Sequence, residues 1–195
     1  MSLLTGSAWA QNHIATVDLR KLFDNYWKKK QAEAQLQERT ADIQREDKNM
    51  IDDYKKAKDD YQTLLTSAND QAVSSEERDK RKKAAEDKFK QMKDQEDMIT
   101  QYERQASTKI GEQRNRMRTS IIDEIRKVVD AKAKVAGYSL VIDIAAESVN
   151  TTPIILYCNN ESDITDAVLA QLNATAPANA ASTPDKPAAP KAGKQ

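Results

Sequence analysis

One imidazole and one thiol, His13 and Cys158, are the chain's whole supply of the side chains that most often act as nucleophile, base or soft-metal ligand. A zinc site draws together four Cys, His or carboxylate ligands, and no such spacing occurs. There is no glycine-rich phosphate loop and no G-x-S-x-G elbow. Carboxylates are plentiful, 31 against 31 lysines and arginines, but they recur among lysines along predicted helix faces. That is the pattern of a solvated surface and not of an acid/base pair. No enzymatic activity, cofactor or metal is expected, and Cys158 reads as a buried strand thiol before a redox group.

With catalysis set aside, composition bounds what remains. At 195 residues the chain holds one or two domains. Charged residues make up 32% and aromatics 5%, which argues against one large globular core. Zero formal charge leaves no bulk field toward nucleic acid or an anionic membrane. No apolar run approaches the roughly 20 residues needed to span a bilayer. The opening "MSLLTGSAWA" ends in Ala8-Trp9-Ala10, the small-residue pattern that precedes signal cleavage. It lacks a basic start and its apolar stretch is short, so residues 1–10 read as the residual tail of a signal peptide, the alternative being chance alanines.

The first element is a short strand, His13 to Asp18, with Asp18 placed to cap the helix that follows. A helical pattern then runs from Leu19 to about Ser67. Alternating steps of four and three from Leu22 to Leu64 visit thirteen positions, nine of them apolar or aromatic, a heptad seam with polar interruptions. Asn69-Asp70 turn the chain, and Ser74 with Glu77 forms a capping-box signature. A second helix runs to Ala136, where Gly137 stops it. The two helices, roughly 70 and 90 Å long at 1.5 Å per residue, form an antiparallel hairpin. Between Lys28 and Arg118 lie 22 basic and 20 acidic residues in 91, interleaved and not segregated, so no nucleic-acid face is expected.

Two further strands follow, Tyr138 to Asp143 and about Pro153 to Cys158, joined by the turn "ESVNTT". Ile154-Ile155-Leu156 is apolar on both faces, as in a strand covered on both sides. Asp163 is placed to cap a short helix bearing Ile164, Val168, Leu169 and Leu172. An isolated pair of strands is marginal in water, and three short ones still present open edges. Self-association through Ile14, Val17, Leu140, Ile142, Ile155 and Tyr157 is therefore the expected role of the sheet. Four of the five prolines fall in the last twenty residues, and the segment 174–195 reads as a disordered Ala/Pro-rich tail.

"IATVDLRKLF", the charged hairpin, "YSLVID", "IILY" and "DITDAVLAQLN" together resemble the Skp (OmpH-like) family of periplasmic chaperones of outer-membrane proteins, over about residues 13–173. The resemblance implies an α+β fold: a long antiparallel helical hairpin, or coiled-coil tentacle (28–118), on a small β-sheet base. That base (11–27 and 119–173, with its short C-terminal helix) would form a shared barrel in a homotrimer. It also implies an ATP-independent periplasmic holdase that binds unfolded outer-membrane β-barrel proteins in a cavity between tentacles. Tyr54, Tyr61, Leu65, Phe89 and Met92 in the outer half of the hairpin are the candidate client-binding residues, since aromatic and Met side chains suit adaptable contacts. Filling the seam between the helices is the more ordinary use of each. The best-known members are strongly basic and this chain is neutral, so lipopolysaccharide binding and charge-steered capture are not carried over. A prefoldin-like holdase and a structural coiled-coil spacer of the cell envelope are the competing readings.

Overall fold

The computed structural model describes residues 13–177; the export reading at Ala8–Ala10 and the tail from 178 onward lie outside them. The element order is β1 (Ile14–Val17), α1 (Leu19–Asn25), α2 (Trp27–Ala68), α3 (Ser75–Ala136), β2 (Leu140–Asp143) and α4 (Thr165–Asn173). The chain divides into two compact units. Among the described residues, one comprises 13–33 and 117–177, and the other is Ala34–Arg116.

In the second unit, contacts between α2 and α3 join Glu46 to Tyr102, Asp60 to Lys88 and Ser67 to Arg81. Sequence separation shrinks toward the turn, which defines an antiparallel hairpin. Local caps set the turn. Asp70 Oδ1 accepts the Ala72 N–H at 2.9 Å and Ser74 Oγ accepts the Glu77 N–H at 3.3 Å. The expected capping box is only half formed, because the Glu77 carboxylate reaches Arg81 Nε at 3.1 Å instead. The buried seam is made of Ala57, Ala68, Ala85, Ala106 and Met92. Small side chains occupy the innermost positions, so the larger seam residues Tyr54, Tyr61 and Leu64 stay half-buried.

In the first unit, β1 lies between two neighbours. On one side it pairs in parallel with β2, Ile14 opposite Leu140 and Val17 opposite Asp143; a parallel pair needs a long crossover, which the three intervening helices supply. On the other side, Thr16 N–H donates to Ser162 O and Ile164 N–H to Thr16 O, both at 3.0 Å. The core beneath joins Ala15, Val17, Leu22, Tyr26, Ile121, Ile125, Ile164, Val168 and Leu172, with Leu22, Ile125 and Val168 fully enclosed. Two carboxylates start α1: Asp18 Oδ1 accepts Lys21 N–H at 2.7 Å, and Asp143 Oδ1 accepts Leu19 N–H at 3.1 Å. α3 ends as Gly137 permits. Its φ is 73°, and the Tyr138 N–H returns to Ala133 O at 2.9 Å in a Schellman closure.

Four sequence expectations need correction. The helix from Leu19 is not continuous, since Tyr26 is extended (φ −73°, ψ 126°) and separates α1 from α2. The third strand is absent. After a single antiparallel bridge, Glu147 with Pro153, residues 155–160 follow no regular path. Pro153 brings no N–H to extend a ladder, and residues 162–164 already occupy the second edge of β1. Ile154 and Leu156 are accordingly exposed (59% and 86%) and not covered on both sides. Cys158 is half-buried in this irregular stretch, its thiol 2.9 Å from Asn160 Oδ1, and not a buried strand thiol. Asp163 acts one position early: its Oδ1 accepts the Thr165 N–H at 2.7 Å, while Ile164 takes the cap position itself.

Candidate interaction surfaces

The hairpin unit brings three of its five sequence-predicted contact residues into one patch. Tyr61 on α2 and Phe89 on α3 face each other with ring centroids 5.6 Å apart and planes tilted by 41°. With Leu65 they line an open groove of about 240 Å³, bordered by Asn69, Lys82 and Glu86. Phe89 and Leu65 keep 46% and 40% of their surface exposed. They do so because Ala68 and Ala85 take the inner seam positions and leave the larger side chains at its rim. Beside the groove, Lys88 Nζ meets Asp60 at 2.9 Å, an ion pair across the two helices. Met92 is buried in the seam and Tyr54 is half-buried, so neither belongs to the patch. Met98, exposed and apolar, was not foreseen, because a heptad count reports only the residues on the seam.

Further along the same unit, Tyr102 spans the helices and donates its hydroxyl to Glu46 Oε2 at 2.8 Å. Loss of solvent around the phenol, and then the Glu46 carboxylate, raise its pKa above the ordinary value.

The sheet unit presents a second apolar surface. Val135, Leu156 and Tyr157 are more than four-fifths exposed, and Ile14, Leu140 and Ile154 between two-fifths and three-fifths. Single exposed apolar residues are ordinary; here these six large ones fall in one small unit, and Ile14 and Leu140 lie side by side in the strand pair. β2 has no strand on its outer edge among the described residues. Near it lies an open groove of about 820 Å³, floored by Val129, Ala133, Tyr138 and Leu140. Of the six residues expected to associate, Ile14, Leu140 and Tyr157 are exposed, Ile142 and Ile155 are half-buried, and Val17 belongs to the chain's own core.

A polar cluster fixes the start of α2 in the same unit. Glu124 Oε2 accepts from Tyr26 Oη and from Lys28 Nζ, each at 2.7 Å, and the Lys28 ammonium lies 5.8 Å from the Trp27 ring centre. The Lys28 bond holds the Glu124 pKa below its ordinary value, against the effect of partial burial and with help from Tyr26. Lys28 is raised in turn by the same bond. No sequence pattern singled out this cluster, because its members are about a hundred positions apart. Among the described residues no three His, Cys, Asp or Glu side chains gather as a metal site, and no helix is long and apolar enough to cross a membrane.

Both units hold apolar side chains open, and charged residues border the hairpin groove. Residues 13–172 match the family model described as outer membrane protein (OmpH-like). No curated protein matches the chain.

Proposed function

The chain belongs to the OmpH-like outer membrane protein family, and from that premise we propose that it is a periplasmic chaperone that holds unfolded outer-membrane proteins without ATP. The observation that carries this reading is the open groove of Tyr61, Leu65 and Phe89 within an otherwise charged hairpin. An unfolded β-barrel strand alternates apolar and polar side chains. A surface of isolated apolar contacts among balanced charges can hold such a strand weakly at many points without collapsing onto it.

The apolar surface of the sheet unit supports assembly into a homotrimer through a shared barrel. Ile14, Leu140, Ile155 and Tyr157, with the open edge of β2, are the contact set. Residues 155–160 would find in a neighbouring copy the strand partner they lack in their own chain. Val17 contributes from within by packing β1 onto the core.

The test is a dilution assay in which a urea-denatured outer-membrane β-barrel protein is diluted into buffer with and without the full chain. Suppressed light scattering at stoichiometric amounts, with no nucleotide present, supports the reading. Unchanged aggregation with a correctly folded protein refutes it and favours a structural spacer of the envelope.

A further inference from the structure

The helical pattern runs from Leu19 to Ser67 with no proline or glycine to interrupt it, yet the chain breaks at Tyr26. A break in mid-pattern leaves carbonyls at the end of one helix and N–H groups at the start of the next without intrahelical partners. Side-chain amides fill these places. Asn25 Nδ2 donates to Lys21 O at 2.8 Å. Asn173, the last residue of α4, serves both sides of the break at once: its Nδ2 donates to Asn25 O at 3.1 Å and its Oδ1 accepts the Trp27 N–H at 3.0 Å.

The other end of α4 is tied to the other end of α1. Thr165 Oγ1 accepts the Asp18 N–H at 2.9 Å, and Asp166 pairs with Lys21 Nζ at 2.8 Å. Thr165 and Asn173 therefore contact opposite ends of α1, so that α4 gauges its length. The broken form also carries an unmet demand. The Trp27 indole nitrogen is buried and meets no acceptor among the described residues, a cost of burying a donor. The helical spacing of apolar residues runs through the break although Phe23 to Trp27 are weak helix formers, and long-range contacts hold the chain there.

We infer that Asn173 is a latch that ends α1 at Asn25. Without it, Tyr26 turns helical and the chain from Leu19 to Ala68 runs as one helix. Docking of α4 and the break at Tyr26 are then two aspects of a single two-state element, and anything that lifts α4 shifts its balance. Core packing of Tyr26, with its bond to Glu124, acts on the same side as the latch but does not replace its two backbone bonds.

The test uses the full chain with ¹³C-labelled tyrosine and reads the Cα resonance of Tyr26. In the wild type it lies on the extended side of the random-coil value. In Asn173→Ala it is expected to cross to the helical side. Thr165→Val frees the far end of α4 and is expected to leave Tyr26 where it was. Should Asn173→Ala fail to fold, Asn173→Asp keeps an acceptor for Trp27 and removes the donor to Asn25, and two Tyr26 signals are expected. A Tyr26 resonance that stays extended in a folded Asn173 variant overturns the inference. So does one that moves equally in Thr165→Val, since the latch would then not be Asn173.

Discussion

Replacing Leu156 and Tyr157 together by serine tests what the exposed segment is for. In the single chain these side chains are 86% and 85% exposed, so removing them takes almost nothing from the core around Ile125 and Val168. If a second copy covers them, each contributes about 1.5–3 kcal/mol of burial. The pair then contributes about 3–6 kcal/mol to each contact, or roughly a 10²- to 10⁴-fold weaker association at 1.4 kcal/mol per tenfold. The assay is solution mass by size exclusion with light scattering across a dilution series, with far-UV circular dichroism as a check on folding. The wild type should hold a trimer mass down to concentrations at which the double variant is already monomeric, the two having matching helical content. An unchanged mass profile at the lowest concentration would refute the burial argument, and would mean that these side chains face water in the assembly as they do in the chain alone.

Phe89→Ser combined with Leu65→Ser opens the hairpin groove at exposed positions. Stability should fall by about 1–2 kcal/mol at Phe89, which gives up half-covered ring surface and its pairing with Tyr61, and by about 1 kcal/mol at Leu65, with the fold retained, while protection of a denatured β-barrel protein in the scattering assay drops; equal loss in Met92→Ser without unfolding would contradict the placement of Met92 in the seam. Glu124 supplies a pH dependence. Its folded pKa is lowered, so its contribution is complete above the ordinary value of 4.5 and fades as pH falls through the folded value. The melting-temperature gap between wild type and Glu124→Gln, measured from pH 7 downward, should therefore narrow below the ordinary value, and salt should shrink it because the pair is partly exposed. Gly137→Ala meets no atom within 4 Å but must adopt φ +73°. Denaturant unfolding should show a loss of about 1–2 kcal/mol, the cost of a left-handed L-residue.

Features with local causes could be read from the residues alone. Asp18 caps α1, Ser74 precedes α3, and Gly137 closes it, because a cap is a bargain among residues three or four apart. The interleaved charge of the hairpin and the family signature at "LVID" and "DIT" are equally local. Even so, the heptad count misjudged depth within the hairpin. It visits Tyr54, Ala57 and Tyr61 alike, whereas of these only Ala57 is buried, together with Ala68, Ala85, Ala106 and Met92. Periodicity reports direction around a helix and not how closely two helices approach.

What the sequence by itself determined is therefore the alphabet of elements: a charged hairpin with defined ends, short strands and a small C-terminal helix. The tertiary structure decided where the helical pattern is interrupted and which apolar residues remain open. At the extended Tyr26, Asn173, nearly 150 positions away, meets backbone groups that a continuous helix would have satisfied locally, while Glu124 takes the Tyr26 hydroxyl. Residues 155–160 are irregular because the edge of β1 that could have received them is held by residues 162–164. Both outcomes are contests between a local preference and a distant partner, and such a contest is settled only when the chain has brought the partner into place.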